Sequence, residues 1–493
     1  MQNAYSSGLT RGRVVALLVL TTLWAACSNE TDDPSETTTA SAKEQVDWHD
    51  DIAPIVQEKC VHCHQTGGIA PFSMQDYATA KTWAGAMADA VAQGRMPPFL
   101  AQETDACQPR LPWAQDLRLS AAQKAKFRAW AKAGAPAGRA QRRLSAPSVA
   151  ALPREDVVMR LPEPIEVSGN RDIHTCVVVD PEVTKDSYVS GRMITVGNAK
   201  VLHHVVSYVI EPGTLPDGTP RNKAQLEAAV REARGVGIGG RYDCFGGSNL
   251  PGLTTTMLNG WAPGSLPNLA PPGTAQFVRK DALVLLDIHY HPTGETEVDS
   301  DTGLSLMLAD ERPNRVSQMV LLGNAREERK EYASGVSELL KQPGEAQAEF
   351  VIPAGASKHI EDMRWTWKLP EADYRIYAAA THMHYVGRDM RVELEHVNDV
   401  SGDGSECLIE TPHWDFNWQR GYAYDAEYDA LPKLRNGDRL HFHCEYDNTM
   451  QNPFVAKALH ERGMDAPVEV QLGEDTLDEM CVGAVGLIFP NSN

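Results

Sequence analysis

Basic residues are scarce in this chain of 493 residues, in which 46 Lys and Arg face 66 Asp and Glu, giving a formal net charge of −20. Such an acidic chain repels nucleic acid and anionic lipid surfaces, so neither is an expected partner. The chain also lacks a His-Glu-x-x-His motif and an obvious general base beside its histidines, which argues against a zinc hydrolase. Hydrophobic residues make up 42% of it, which is enough for real cores, and its length suggests several domains.

The apolar run near the N-terminus, 14–20, is too short to span a membrane as a helix. Two arginines precede it and small residues follow it, which is typical of a secretory signal. Residues 23–27 resemble the end of a bacterial lipoprotein signal, so we predict a signal peptide over 1–27 with Cys27 lipidated. Plain secretion without lipid is the alternative. A flexible tether is expected over 28–46, and the chain is expected to be exported, either periplasmic or anchored to the outer membrane.

Cys60-Val61-His62-Cys63-His64 forms a Cys-x-x-Cys-His motif. In an exported chain this motif indicates covalent haem c, with thioethers from Cys60 and Cys63 and His64 as an iron ligand. A zinc site and a redox dithiol are the alternatives, but export and the adjacent histidine favour haem. The segment resembles the cytochrome c domains fused to exported bacterial enzymes. We therefore expect a small all-α cytochrome c-like domain over 47–138.

Three methionines, Met74, Met87 and Met96, are candidates for the sixth iron ligand. Met96 is favoured because the two prolines that follow it stiffen its loop, although it would alternatively pack on the haem edge. A His/Met pair raises the reduction potential, which suits electron transfer. The last helix of this domain is predicted to begin near Ser120 and to end near Gly134.

The second chemical signal is His382-Met383-His384, which follows the strand-forming run at 374–377. Alternate side chains of a strand share one face, so both imidazoles would point the same way and could hold one metal ion. Imidazole suits copper, zinc, iron and nickel, so the spacing does not choose among them. Solvated or hydrogen-bonded histidines are the alternative interpretation.

Two more histidine pairs lie in apolar runs rich in strand formers. His203 and His204 are adjacent and would face opposite sides of a regular strand, so joint ligation requires a twist or a bulge. His289 and His291 would share a face, and their spacing does not say which of them binds a metal. The remaining histidines considered are predicted to be structural or solvent-facing: His174, His359, His396, His413, His441 and His443.

These histidine segments and Asp478-Glu479-Met480-Cys481 occur in the order found in one family. Over 161–493 the chain resembles the copper type II, ascorbate-dependent monooxygenases, the family of peptidylglycine α-hydroxylating and dopamine β-monooxygenases. A lone methionine is more often core filler, but a thioether is also a soft ligand that favours Cu(I). The resemblance implies two coppers, one on His203, His204 and His289 and the other, catalytic, on His382, His384 and Met480.

The resemblance implies two jelly-roll-like β-sandwich domains, which we place at 161–313 and 314–493 after a linker at 139–160. Short β-rich runs between Gly and Pro turns agree with β-sandwiches. Helical periodicity is scarce there, and 222–234 is the exception.

The implied activity is hydroxylation of a C–H bond of a small organic substrate with O₂, using electrons from ascorbate, from the fused haem or from both. Peptide-amidating members carry an arginine two residues before their His-x-His, where this chain has Ala380, so a peptide ending in glycine is not the expected substrate. The run His289-Tyr290-His291-Pro292 is closer to the dopamine-hydroxylating branch. A tether over 138–152 would keep a relay haem near the coppers. A non-enzymatic exported copper-binding or electron-transfer lipoprotein is the alternative function.

The chain has nine cysteines, and most of them can be assigned a partner or a cofactor. The resemblance implies two disulfides, Cys176–Cys244 and Cys444–Cys481. Once lipid, haem and these pairs are assigned, Cys107 and Cys407 remain. An even remainder in an oxidising compartment usually pairs, so we predict a third disulfide between them.

Overall fold

β-Strands dominate this protein, as expected from its many short runs of β-branched and aromatic residues. The computed structural model describes residues 45–66, 70–139, 144, 151–169, 171–244, 247–324, 329–397, 404–473 and 477–492. The α-helices are α1 Ala53–Lys59, α2 Tyr77–Thr82, α3 Ala84–Ala92, α4 Ala121–Lys132, α5 Lys223–Arg234 and α6 Pro453–Glu461. A π-helical turn at Trp48–Ile52 precedes α1, and a 3₁₀ turn lies at Tyr428–Ala430.

Twelve strands precede residue 313: β1 Val157–Arg160, β2 Ile165–Val167, β3 Ile173–Val179, β4 Ser187–Thr195, β5 Leu202–Ile210, β6 Arg241–Asp243, β7 Thr255–Trp261, β8 Asn268–Leu269, β9 Thr274–Val278, β10 Leu283–Tyr290, β11 Glu297–Asp299 and β12 Gly303–Leu308. Thirteen follow it: β13 Arg315–Gly323, β14 Arg329–Tyr332, β15 Gly335–Leu340, β16 Val351–Ile352, β17 His359–Trp367, β18 Tyr374–His382, β19 Gly387–Glu395, β20 Ser405–Thr411, β21 Gly421–Ala423, β22 Lys433–Leu434, β23 Arg439–Tyr446, β24 Val470–Gln471 and β25 Val482–Pro490.

In the first half, the sheet β6-β3-β10-β5-β7 shares a core with strands β1, β12, β4 and β9. Leu286 of β10 and Val205 of β5 meet Leu304 of β12 in that core. Helix α5 covers the other face of the five-stranded sheet through Leu226 and Val230. All eight residues of β10 are buried as a result, which explains its nearly continuous apolar sequence.

In the second half, the sheet β14-β15-β17-β23-β19-β20 shares a core with β13, β25 and β18. Met363, Met390 and Phe442 of this six-stranded sheet are fully buried in that core, together with Val485 of β25. Strand β13 also pairs with β9 in parallel, with Arg315 opposite Thr274. One ten-stranded sheet therefore runs through both halves of the chain.

The helices before residue 133 form a core of their own, in which Trp48, Phe127 and Trp130 are almost fully buried. Helix α4 begins after a capping box, because the Ser120 side chain accepts from the Gln123 backbone and the Gln123 side chain accepts in return from the backbone N–H of Ser120. The bounds predicted for this helix and for α5 are confirmed.

Residues 99–118, which we call the strap, connect this helical core to the second half of the chain. Tyr422 Oη accepts from the backbone N–H of Leu100 at 2.9 Å, and Trp113 stacks on Tyr424 with ring centroids 5.1 Å apart. Phe99 and Trp113 are buried within the second core. We call the sheets and core of the first half of the chain, before residue 313, the first β-sheet assembly, and those of the second half, after it, the second β-sheet assembly. The strap is thus part of the second β-sheet assembly rather than a free connection.

All three predicted disulfides are confirmed, with Cα–Cα distances of 5.4 to 6.0 Å. They are Cys107–Cys407, Cys176–Cys244 and Cys444–Cys481. The first joins the strap to β20, across a sequence separation of 300.

The predicted signal peptide, Cys27 and nearly all of the predicted tether lie outside the described residues. In the predicted linker at 139–160, Leu144 is buried against the helical core. The last four residues of that stretch form β1, which pairs with β12. Within the part of the chain that the structure describes, no helix is both long and apolar enough to cross a membrane.

Candidate functional site

A β-bulge brings the first histidine set together. His289 of β10 lies opposite His204 of β5, but the next residue of β10, Tyr290, lies opposite Leu202. His203 is therefore the extra residue of the bulge, and its side chain turns toward that of His204. The irregularity that joint ligation requires is present.

The three Nδ1 atoms of this set form a small triangle. His203 Nδ1 lies 3.1 Å from His204 Nδ1 and 3.3 Å from His289 Nδ1, and the third side is also 3.3 Å. A point equidistant from all three lies about 1.9 Å from each, close to the distance of about 2.0 Å at which imidazole nitrogen binds first-row metals such as zinc. The residues present therefore fit a metal ion held by three imidazoles, as first-row metals including copper are.

Burial favours the neutral form, which a metal requires, for His203 and His204. It lowers the pKa of His203 to about 3, with the neighbouring His289 adding to the effect. The pKa of His204 is lowered well below its ordinary value, again first by burial and then by His289. Deprotonated ligands are a precondition for metal binding, so no proton competes for these two nitrogens near neutral pH.

Asp172 resolves the choice between His289 and His291. Its Oδ2 lies 3.2 Å from Nε2 of His289, and its Oδ1 lies 2.7 Å from Nδ1 of His291. His289 is 4% exposed and presents Nδ1 to the triangle, whereas His291 is 45% exposed and faces Asp172. The position of Nδ1 therefore favours His289 as the candidate ligand. Asp172 lies within ion-pair distance of its Nε2, although this nitrogen forms no hydrogen bond with the described residues; a carboxylate placed behind a ligating imidazole can fix its orientation.

The second set lies where β18 ends. His382 is the last residue of that strand and His384 lies just beyond it, with ring centroids 5.3 Å apart and nearly perpendicular planes. His382 Nδ1 is 2.8 Å from Gln419 Oε1, and His384 Nδ1 is 3.1 Å from the Asp478 carbonyl oxygen. Both rings thus hold Nδ1 in hydrogen bonds, which leaves Nε2 of each as the nitrogen for a ligand.

Glu479 joins the two segments that carry this second set. Its buried carboxylate accepts from the backbone N–H groups of His384, Val386 and Met480, the last two at 3.1 and 2.8 Å. Burial raises the pKa of Glu479 to about 8 against the opposing effect of these hydrogen bonds. Cys481, two residues after Glu479, forms a disulfide with Cys444 that fixes the same backbone.

Both histidine sets line one cavity of about 380 Å³. Its lining includes His204 and His289 from the first set and all of the second set, His382, His384 and Met480. Between the sets, Phe416 stacks on His203 with ring centroids 5.2 Å apart and lies edge-on to His384 at 6.2 Å. Apart from histidine, the lining contains one ionisable acid, Asp287, and no Lys or Arg among the described residues.

The Cys-x-x-Cys-His motif lies directly after α1. Cys60 and Cys63 are free, whereas the other six described cysteines are paired. Burial raises the pKa of Cys60 to about 12 and also raises that of Cys63, which is unlike the low pKa of a redox-active thiol. His64 Nδ1 is 3.0 Å from the Phe72 carbonyl oxygen, so Nε2 remains for an iron atom. These residues fit covalent haem.

The three methionine candidates differ in their surroundings. Met74 and Met87 are buried in the helical core, and the backbone N–H of Met74 donates to the His64 carbonyl at 2.8 Å. Met96 is half-buried on the loop after α3, before a cis bond to Pro97. Met96 stays a prediction as the sixth ligand.

Most histidines predicted to be structural contact carboxylates. Asp362 Oδ1 lies 2.9 Å from His441 Nε2 and 2.8 Å from His443 Nδ1. His359 lies beside Glu361, and His396 beside Asp438.

His174 differs from these, because it stacks on His289 with centroids 4.1 Å apart and lines the cavity. Asp172, Gln419 and Glu479 were likewise not predicted as functional residues. Glu479 stands beside Met480 in the sequence, but nothing in the sequence points to the other two.

No family model and no curated protein matches the chain. Among solved structures, a Paenibacillus xanthan lyase aligns with 72% of this chain and 28% of its own, at 10% identity and a TM-score of 0.17. This chain therefore spans about a quarter of the length of that lyase. The T=1 particle derived from infectious bursal virus aligns with 70% of this chain and 81% of its own, at 10% identity and a TM-score of 0.08. Scores this low carry no argument about fold or function.

Proposed function

We propose that this protein is an exported copper-dependent monooxygenase that hydroxylates a C–H bond of a small organic substrate with O₂. The observation that carries the proposal is that two separate ligand sets, one of three imidazoles and one with a thioether, line a single cavity. The sequence resemblance to the copper type II, ascorbate-dependent monooxygenases, with two jelly-roll-like domains, supports it. Bound copper would supply oxygen activation and electron storage.

The chain's own residues have distinct tasks in this proposal. His203, His204 and His289 would hold one copper, and the bulge in β5 aligns their Nδ1 atoms. His382, His384 and Met480 would hold the catalytic copper, with the soft thioether favouring the reduced ion. Phe416 lies between the sets, stacked on His203 and edge-on to His384, and would separate the two coppers.

The cavity lining also bears on the substrate. Trp261, Met257 and Phe416 give it a largely apolar wall, and no cationic side chain of the described residues lines it. A substrate carboxylate would lack a partner there, which agrees with alanine at position 380. The proposed substrate is therefore a small molecule without a carboxylate.

Electrons would come from ascorbate, from haem c or from both. Cys60 and Cys63 would hold the haem covalently, with His64 and Met96 as proposed axial ligands. The helices at 48–132 would then be a cytochrome c-like domain. Lipidation at Cys27 would anchor the mature protein to a bacterial membrane, with its folded part in the periplasm or at the outer membrane.

Metal analysis of the purified protein, combined with a visible spectrum, tests the cofactors. Two coppers and one haem per chain are expected, and zinc in place of copper without reduced-haem absorbance would overturn the proposal. O₂ uptake by the reduced, copper-loaded protein with phenethylamines and other small molecules then tests the activity. Copper and haem without substrate-dependent O₂ uptake would favour a non-enzymatic electron-transfer or copper-binding lipoprotein.

A further inference from the structure

The haem-attachment motif lies against both β-sheet assemblies. On one side, Gly264 from the first half of the chain approaches Cys63 so closely that a Cβ at Gly264 would lie 3.3 Å from the Cys63 sulfur. From the second half, Arg420 reaches the loop that follows Met96, where its Nη1 donates to the Pro98 carbonyl, and it is close enough to His62 and Cys63 to interact with them electrostatically. A group attached at Cys63 is therefore bounded by residues more than 190 positions away in the sequence.

Arg420 is a half-buried cation without an acidic partner. Its Nη1 donates to the Pro98 carbonyl at 3.4 Å, a long hydrogen bond to a neutral acceptor. It forms no ion pair with a carboxylate among the residues that the structure describes, whereas Arg118 and Arg375, which are also partly buried, each pair with an aspartate. A planar guanidinium is suited to bind a carboxylate through two hydrogen bonds.

Haem c carries two propionate carboxylates, and no acid among the described residues pairs with Arg420. We propose that Arg420 binds a propionate of the haem attached at Cys60 and Cys63, so that the haem site is completed by the second β-sheet assembly. This inference rests on the proposed function, since it requires the covalent haem. The pairing supplies the anion that Arg420 lacks and gives the haem a fixed orientation.

The position of Arg420 adds a consequence for the metal sites. The preceding residue, Gln419, has its Oε1 2.8 Å from Nδ1 of His382. Arg420, which would bind the propionate, is therefore adjacent in the sequence to Gln419, which orients the proposed copper ligand His382. Gln419 and Arg420 together act as a link between the haem and the cavity.

The haem reduction potential tests the pairing. Loss of a nearby positive charge favours ferric haem, so Arg420→Gln should lower the equilibrium constant for haem reduction about tenfold, a shift of about 59 mV for a one-electron couple. Arg420→Lys should restore most of the potential, since it keeps the charge. The matched control is Arg110→Gln, because Arg110 is an exposed strap residue paired with Glu406.

The measurement is a spectroscopic redox titration of the full-length holoprotein, with haem content determined on the same samples. An unchanged potential in Arg420→Gln, or an equal shift in Arg110→Gln, would overturn the inference. If Arg420→Gln takes up no haem, a wild-type potential in Arg420→Gly with added guanidinium salt would support the pairing and a low one would oppose it. Wild-type protein without covalent haem would instead remove the haem from the proposed function.

Discussion

Replacing Met480 by alanine distinguishes two roles of its side chain, that of a metal ligand and that of an ordinary core residue. Its side chain is 8% exposed and borders the cavity, so part of its surface faces no packed neighbour. Met-to-Ala changes in cores cost about 2–5 kcal/mol, and we expect Met480→Ala to cost about 2 kcal/mol, at the lower end. Turnover should nevertheless be lost, because the thioether would no longer support the reduced catalytic copper.

The matched control is Met390→Ala, which removes a fully buried methionine from the second core. That change should cost more stability, about 4 kcal/mol, and yet retain turnover in the protein that remains folded. The measurements are chemical unfolding, copper content and substrate-dependent O₂ uptake for both variants. If Met480→Ala keeps wild-type turnover while its unfolding midpoint falls, Met480 is core filler and the ligand assignment is wrong.

Three further predictions concern charged and ligating side chains. His203→Ala should abolish turnover while one copper per chain is retained, as metal analysis will show. Asp172→Asn should weaken copper binding at the first set about 10–100-fold in a chelator competition, whereas His291→Ala should change it little; equal effects would contradict the assignment. Burial opposes a charge on His441, but hydrogen bonds to Asp362 and a glutamate outweigh it and raise its pKa to about 9. Because the pKa is raised in the folded state, protonated His441 stabilises the fold fully below about pH 6.5, and this contribution is lost as pH rises through about 9. Asp362→Asn should therefore lower the free energy of unfolding by about 1–2 kcal/mol more at pH 6 than at pH 9.5, as measured by urea unfolding.

The sequence predicted the elements whose signals are local. Helix α4 has its capping residues next to it in the chain, at Ser120 and Gln123, and α5 has the same arrangement. Ligand candidates were also proposed from local His-x-His spacing, but only His289 and His382 lie on strands, and His291 and His384 lie just beyond the strand ends. The bulge at His203 was required by chemistry and is present.

Contacts between distant segments could not be predicted in this way. Asp172 lies 117 positions before His289, and its role depends on loop geometry that spacing does not encode. Gln419 contacts His382, and Arg420 contacts Pro98, only because folding brings these distant segments together. A domain boundary was predicted near Pro313. The sequence carried no signal that β9, before this boundary, would pair with β13, after it.

The strap changes the physical meaning of the link between the proposed haem site and the proposed copper sites. A flexible tether would let the haem segment dissociate and return, and its effect would be an effective concentration. Here Trp113 is part of the second core and Cys107 is bonded to Cys407, so the haem segment has a fixed distance to the cavity.

That bond also sets an order of assembly. Cys107 precedes its partner by 300 residues, so this disulfide cannot form until much of the second β-sheet assembly has been synthesised. A chain that lacked the strap would leave Tyr422 and Tyr424 uncovered and Cys407 as a free thiol. Fixing the helical core in place and completing the second β-sheet assembly are therefore coupled through this one bond.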